Sequence, residues 1–298
     1  MFVWYCLLVL LFESYKISAK TIDRVVVITR HGDRAPLQFY QPWDDSETES
    51  KHWPYGLGHL TKLGKRRMFI QGRFLRDRYE KMFKHGFISP RDVYIQSSGV
   101  DRCLETAQVI SAAMIQPKKE WIWAENIRWQ PVPIKSWPPI MDPMLVVSSI
   151  CPVADQHYEM IQKAENVQNF MSNYEKLIRE LDDKFKCGND YRSLRNFFDN
   201  ILTLKHHMRV DKSTGLPESI TSWMKNTTYQ EMKTIFEFSF QVDYTGLVSN
   251  KLRKLRAGYL MNEIFKMLDP TLQLKRLNIL STVSYLIKHL FIFKINVH

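Results

Sequence analysis

"DRVVVITRHGDRAP" (Asp23–Pro36) decides how the chain folds. Its first eight residues hold an unbroken β-branched run, Val25 to Ile28, bounded by polar side chains, which is the pattern of a buried strand. "HGDRAP" then breaks that strand. Gly32 lacks a Cβ and permits a tight bend and a close ligand approach, and Pro36 fixes the exit of the loop. Arg30, His31 and Arg34 therefore fall where a strand ends, the edge at which open α/β sheets bind ligands. Each arginine offers a planar fork of donors suited to phosphate oxygens. His31 between them is a candidate nucleophile, because neighbouring guanidinium charges favour its neutral, attacking form. The bland alternative is a solvated basic loop with an incidental histidine.

A second stretch supports the site reading. "VYIQSS" (Val93–Ser98) reads as another short strand, and Asp101 starts a helix through about Met114. Arg102 then sits at a helix N-terminus, itself a place for anions, and is a third candidate phosphate ligand. Its alternative role is a surface ion pair with Glu105. Between the two strands, Thr61 can cap a helix running to about Lys84, with Leu63, Arg67, Ile70, Phe74 and Leu75 spaced for one packed face. "WQPVPIKSWPPIMDP" (Trp129–Pro143) is extended or looped. Residues 155–207 read as helical, a further helix runs from about Thr245 to Leu268, and "LKRLNILSTV" (Leu274–Val283) reads as a strand. The expected fold is α/β: a mixed central sheet flanked by helices, with an inserted α-helical cap subdomain at about 150–240.

Composition restricts the function classes. The 298 residues carry 45% hydrophobic and 24% charged side chains, an ordinary globular balance, and a net charge of +11. No dense Lys/Arg block or nucleic-acid motif accompanies that charge, so it reads as a solvated basic surface rather than a nucleic-acid platform. Residues 2–12 are apolar without a break and too short to span a bilayer. With Ile17 and Ala19 after them they resemble a secretory signal cleaved after Ala19, leaving 20–298 as the mature domain; a buried first strand is the alternative. A secretory route allows disulfides. Cys103, Cys151 and Cys187 would remain, an odd number, without zinc-ligand spacing. Asn226-Thr227-Thr228 is a glycosylation sequon.

"RHGDRAP", "YGLGHLTKLGKRRMFIQGRFLRDRY" and "VYIQSSGVDRCLETAQ", in that order, resemble the histidine acid phosphatases, close to their lysosomal, prostatic and insect secreted branch. The likeness runs from Asp23 to about Leu268. It implies an α/β domain capped by helices, hydrolysis of phosphate monoesters at acid pH, and no metal or cofactor. By the same likeness His31 is the nucleophile, and Arg30, Arg34 and Arg102 bind phosphate. The short loop between "RHGDRAP" and "GLGHLT" looks more like the acid phosphatases than the phytases. Cys151 and Cys187 match family cysteines that pair with partners further along; here they remain free or pair with each other.

The chain departs from that family at one place. The family's general acid is the aspartate of a His-Asp dipeptide after a late strand, and these 298 residues contain no such dipeptide. Leu274–Val283 instead leads into an atypical apolar tail (about 279–298), too interrupted for a membrane anchor. It reads as a buried helix or the non-homologous end of a truncated isoform, leaving the C-terminal part of the sheet incomplete. The expected function is a secreted or lysosomal acid phosphatase acting on small phosphate monoesters or phosphoproteins, impaired by the missing acid and sparing aryl over alkyl esters. The alternative is an inactive secreted phosphate-ester binder or a non-functional isoform. No stable membrane span and no nucleic-acid partner are expected, and a homodimer is left open.

Overall fold

The computed structural model describes residues 22–40, 46–83, 88–210, 219–244, 250–269, 271, 276–282 and 291–296. The expected signal segment lies outside them. Five strands form one sheet: β1 (Ile22–Arg30), β2 (Val93–Ser98), β3 (Ile134–Trp137), β4 (Arg276–Thr282) and β5 (Phe291–Asn296), in the order β3-β2-β4-β1-β5. The first four run parallel, and β5 pairs antiparallel with β1. The tail, read from the sequence as a buried helix or a non-homologous end, contributes β5 as an edge strand beside β1.

β1 is buried on both faces because its side chains alternate between two cores. Val25 and Val27 pack with Leu75, Ile95, Ile110 and Ile279. Val26 and Ile28 pack with Leu145, Ile264 and Leu280. Helices supply the outer layers: α1 (Ser46–His52), α2 (Lys62–Tyr79) and α3 (Asp101–Met114), then α4 (Pro152–Gln162), α5 (Glu165–Ser172), α6 (Glu175–Phe185), α7 (Tyr191–Val210), the short α8 (Ser219–Ser222), α9 (Asn226–Tyr244) and α10 (Asn250–Met267).

The packed face of α2 differs from expectation. Ile70 and Phe74 are 66% and 47% exposed, while Gly64, Gly72, Leu75 and Tyr79 are buried. The helix approaches its neighbours through glycine rather than through a bulky apolar stripe. A Cβ on Gly72 would lie 2.5 Å from the Ile110 carbonyl and 2.7 Å from the Ala113 Cβ, so close packing on α3 excludes one.

The helical block has its own core. Phe185, Phe197, Phe198, Ile201 and Leu204 pack with Ala35, Tyr40 and Trp53 from just beyond the "RHGDR" stretch. Asp243 on α9 is buried and accepts hydrogen bonds from Arg195 Nη1 at 2.6 Å, Arg192 Nη2 at 3.3 Å and the Tyr191 hydroxyl at 3.0 Å, fastening α9 to α7. The thiols of Cys103, Cys151 and Cys187 are free, so the expected disulfide is absent among the described residues. Burial raises the Cys103 thiol, and burial with nearby Asp182 pushes Cys187 up to about 12, so both behave as packed apolar groups.

Candidate active site

The register of the sheet sets the site. Arg30 pairs with Thr282 across β1 and β4, and Ser97 with Ser281 across β2 and β4, so three carboxyl ends line up along one edge. The "HGDRAP" loop leaves β1 at that edge and is held by its backbone. Thr106 Oγ1 on α3 accepts from the Gly32 N–H at 3.1 Å. The Asp33 carbonyl accepts from the Thr61 N–H at 2.9 Å, and the Thr61 hydroxyl caps α2 by accepting from the Gly64 N–H at 3.1 Å. Arg34 bridges to Leu60, and the Ala35 N–H donates to the His59 carbonyl at 2.9 Å. A Cβ on Gly64 would sit 2.1 Å from the Asp33 carbonyl oxygen. Only glycine lets α2 come this close to the loop.

His31 is held in one tautomer. Its Nδ1 lies 2.8 Å from the Gly32 carbonyl oxygen, which can only accept, so Nδ1 carries the proton and Nε2 keeps its lone pair. Its acidity is shifted well below the usual histidine value, first by burial, then by the Arg30 and Arg102 charges; the Gly32 hydrogen bond opposes this, and Arg34 adds a smaller push downward. Burial and these charges thus favour the neutral ring, with Nε2 unprotonated.

The three candidate clamps are not equivalent. Arg30 and Arg34 line a cavity of about 430 Å³ with His31, Gly32 and Asp33. Arg102 is outside that lining, although its charge reaches His31. Its alternative partner is engaged elsewhere: the Glu105 carboxylate accepts from His59 Nδ1 at 3.0 Å and the Leu60 N–H at 2.9 Å. Arg34 is 4% exposed; its Nη1 donates to the Ala35 carbonyl at 2.8 Å and its Nη2 to Asp199 Oδ2 on α7.

The α7 wall escapes the motif reading altogether. Asp199, His206 and His207 line the cavity with Leu202, Thr203, Phe236 and Phe240. His207 Nε2 donates to the Arg34 carbonyl at 2.8 Å, and Asn200 Oδ1 accepts from the Leu37 N–H at 2.8 Å. His206 Nε2 lies 3.1 Å from Asp33 Oδ1, whose other oxygen accepts from Arg67 Nη1 at 2.9 Å. One signal in the sequence marks some of them. Asp199, Asn200 and His207 fall on the same buried stripe of α7 as Phe197, Phe198, Ile201 and Leu204, and polar residues on a buried helical face need partners across it. No group of three or more His, Cys, Asp or Glu residues suited to a metal ion occurs among the described residues.

Residues 21–287 match the profile of the Histidine phosphatase superfamily (branch 2). Prostatic acid phosphatase of Homo sapiens is 28% identical over 249 residues, covering 83% of this chain and 62% of that protein. Lysosomal acid phosphatase of Xenopus laevis is 27% identical over 263 residues, covering 87% and 58%. The chain thus spans about three-fifths of the length of these relatives. A phytase of Klebsiella sp ASR1 shares the fold at 14% identity with a TM-score of 0.57, covering 88% of this chain and 70% of that one.

Proposed function

The chain belongs to the histidine phosphatase superfamily, branch 2, and from that premise we propose that it is an acid phosphatase working through His31. The Nε2 lone pair attacks the phosphorus of a phosphate monoester, the ester oxygen leaves, and a phosphohistidine forms. Water then releases inorganic phosphate. Splitting one displacement into two lowers each barrier. The observation that carries this reading is the fixed tautomer of His31: Nδ1 is bound to the Gly32 carbonyl, and Nε2 stays unprotonated between cationic arginines. Arg30 and Arg34, which line the cavity, serve the transferring phosphoryl group, and the charge of Arg102 acts on His31 from outside the lining. The role of Arg34 is shared with Asp199, which offsets part of its charge.

The substrates in this reading are small phosphate monoesters or phosphorylated side chains; a cavity of about 430 Å³ with Leu202, Phe236 and Phe240 in its wall supports them. A secreted or lysosomal setting accords with the relatives' names. The sequon residue Asn226 is exposed at the start of α9, where a glycan fits. Among the described residues no helix is long and apolar enough to cross a membrane. The exposed rings of Trp129 and Trp137, on and beside the edge strand β3, suit a homodimer.

Acid-quench trapping with a radiolabelled phosphate ester tests the chemistry. Label on the wild-type chain that disappears in His31→Ala supports the enzyme. Tight phosphate binding without label sinks it in favour of a binding protein.

A further inference from the structure

We propose that His206, oriented by Asp33, is the acid that protonates the leaving oxygen. The proposal rests on the phosphatase reading above and draws the proton donor from side chains that already line the cavity.

The cavity narrows the choice. Among the described residues its ionisable side chains are Arg30, His31, Asp33, Arg34, Asp199, His206 and His207. Arginine does not release its proton in this range. Asp199 is buried against Arg34. His207 has no solvent exposure, and its Nε2 is bound to the Arg34 carbonyl. Asp33 has both oxygens engaged, one by His206 and one by Arg67. His206 remains, with a side chain 31% exposed.

The geometry suits a proton relay. In the charged ring the Nε2–H faces Asp33 Oδ1 at 3.1 Å as an ion pair. Arg67 Nη1, which can only donate, also reaches Nε2 at 3.4 Å, so its contact and a proton on Nε2 exclude each other; the proposed acid uses the shorter Asp33 contact. With Nε2 held, Nδ1 is the nitrogen that gains and loses the working proton. Asp33 is two residues from His31, so the loop brings the nucleophile and the carboxylate that orients the acid to one cavity, and α7 brings the acid. The remaining charges around His206 are the Arg67 guanidinium, the Arg34–Asp199 pair and the ring of His207, 5.5 Å away.

The steps balance. In the first, the His31 Nε2–P bond forms and the P–O bond breaks. The leaving oxygen takes the proton from Nδ1 of the His206 imidazolium, giving an alcohol and a neutral His206. In the second, water attacks phosphorus and passes a proton to His206 Nδ1. The P–N bond breaks with its electron pair returning to His31, and inorganic phosphate departs. Asp33 stays a carboxylate throughout, stabilising the imidazolium.

The test compares kcat/KM, which reports through the first chemical step, for wild type and His206→Gln on two esters. Glycerol phosphate has a leaving alkoxide that needs a proton; p-nitrophenyl phosphate has one that does not. The expected result is a loss of ~10²-fold or more on glycerol phosphate and under ~10-fold on the aryl ester, the usual reach of a general acid. Rates are taken per chain labelled at His31, so misfolded protein does not enter them. Equal losses on both esters, or none on either, overturn the assignment while a labelled wild type leaves the phosphatase reading standing. A wild type that carries no label overturns both.

Discussion

The two walls of the cavity differ in how the chain builds them. The sheet wall takes Arg30, His31 and Arg34 from a single five-residue stretch, and the charge of Arg102 reaches His31 from outside the lining. The α7 wall brings Asp199 to Arg34 across 165 residues and His207 to the Arg34 carbonyl across 173. The first wall is cationic and made for an anion. The second adds the Asp199 carboxylate, which offsets part of that charge, and the imidazoles of His206 and His207.

Cutting the tie between the walls gives the largest expected effect. Asp199→Ala leaves the Arg34 guanidinium buried without its counter-charge, and such losses cost about 3–5 kcal/mol. Urea unfolding measures it. Replacing Arg34 and Asp199 together by apolar residues costs less than either single change, because no lone charge is left behind. An Asp199→Ala cost below about 1 kcal/mol would mean that the two walls are energetically independent.

The sheet wall has its own weak point in Gly64. Alanine there improves intrinsic helix propensity by about 0.8–1 kcal/mol. Its Cβ, however, would fall 2.1 Å from the Asp33 carbonyl, backbone against backbone. Overpacking of this kind costs about 1–3 kcal/mol, so Gly64→Ala is expected to be net destabilising by the smaller part of that range. Because the displaced carbonyl belongs to the residue that orients His206, activity on alkyl esters falls further than stability does. A stabilised, fully active Gly64→Ala would show that the loop has room to move.

These two changes mark what is legible in the sequence. β2 and α3 begin and end where the pattern places them, since β-branched alternation and an acidic helix start are local signals. β4 is likewise visible as an apolar run. The face of α2 is hidden because Ile70 and Phe74 have helical spacing, whereas the packing runs through Gly64 and Gly72, which no count of apolar residues detects. The helix α9 and the antiparallel pairing of the tail depend on tertiary partners, Asp243 with α7 in one case and β1 in the other. Arg34, Asp33 and His31 are readable as a motif. Their partners on α7 are not, because a helix presents the same pattern whichever loop it covers.

The smallest expected effect separates the walls by pH. A free histidine takes up a proton near pH ~6.5, but burial and the arginines hold His31 neutral to lower pH in the fold. Between those two points the unfolded chain binds more protons than the folded one, so this residue makes folding less favourable as the solution turns acidic. The penalty is absent well above pH ~6.5, where both states are neutral, and grows no further below the folded value. His31→Asn removes it. The melting temperature of the variant relative to wild type is therefore expected to rise as pH falls from about 8 to about 5. A gap that stays constant over that range would mean that burial and the arginines do not depress His31, and would remove the support for the proposed attack by its neutral ring.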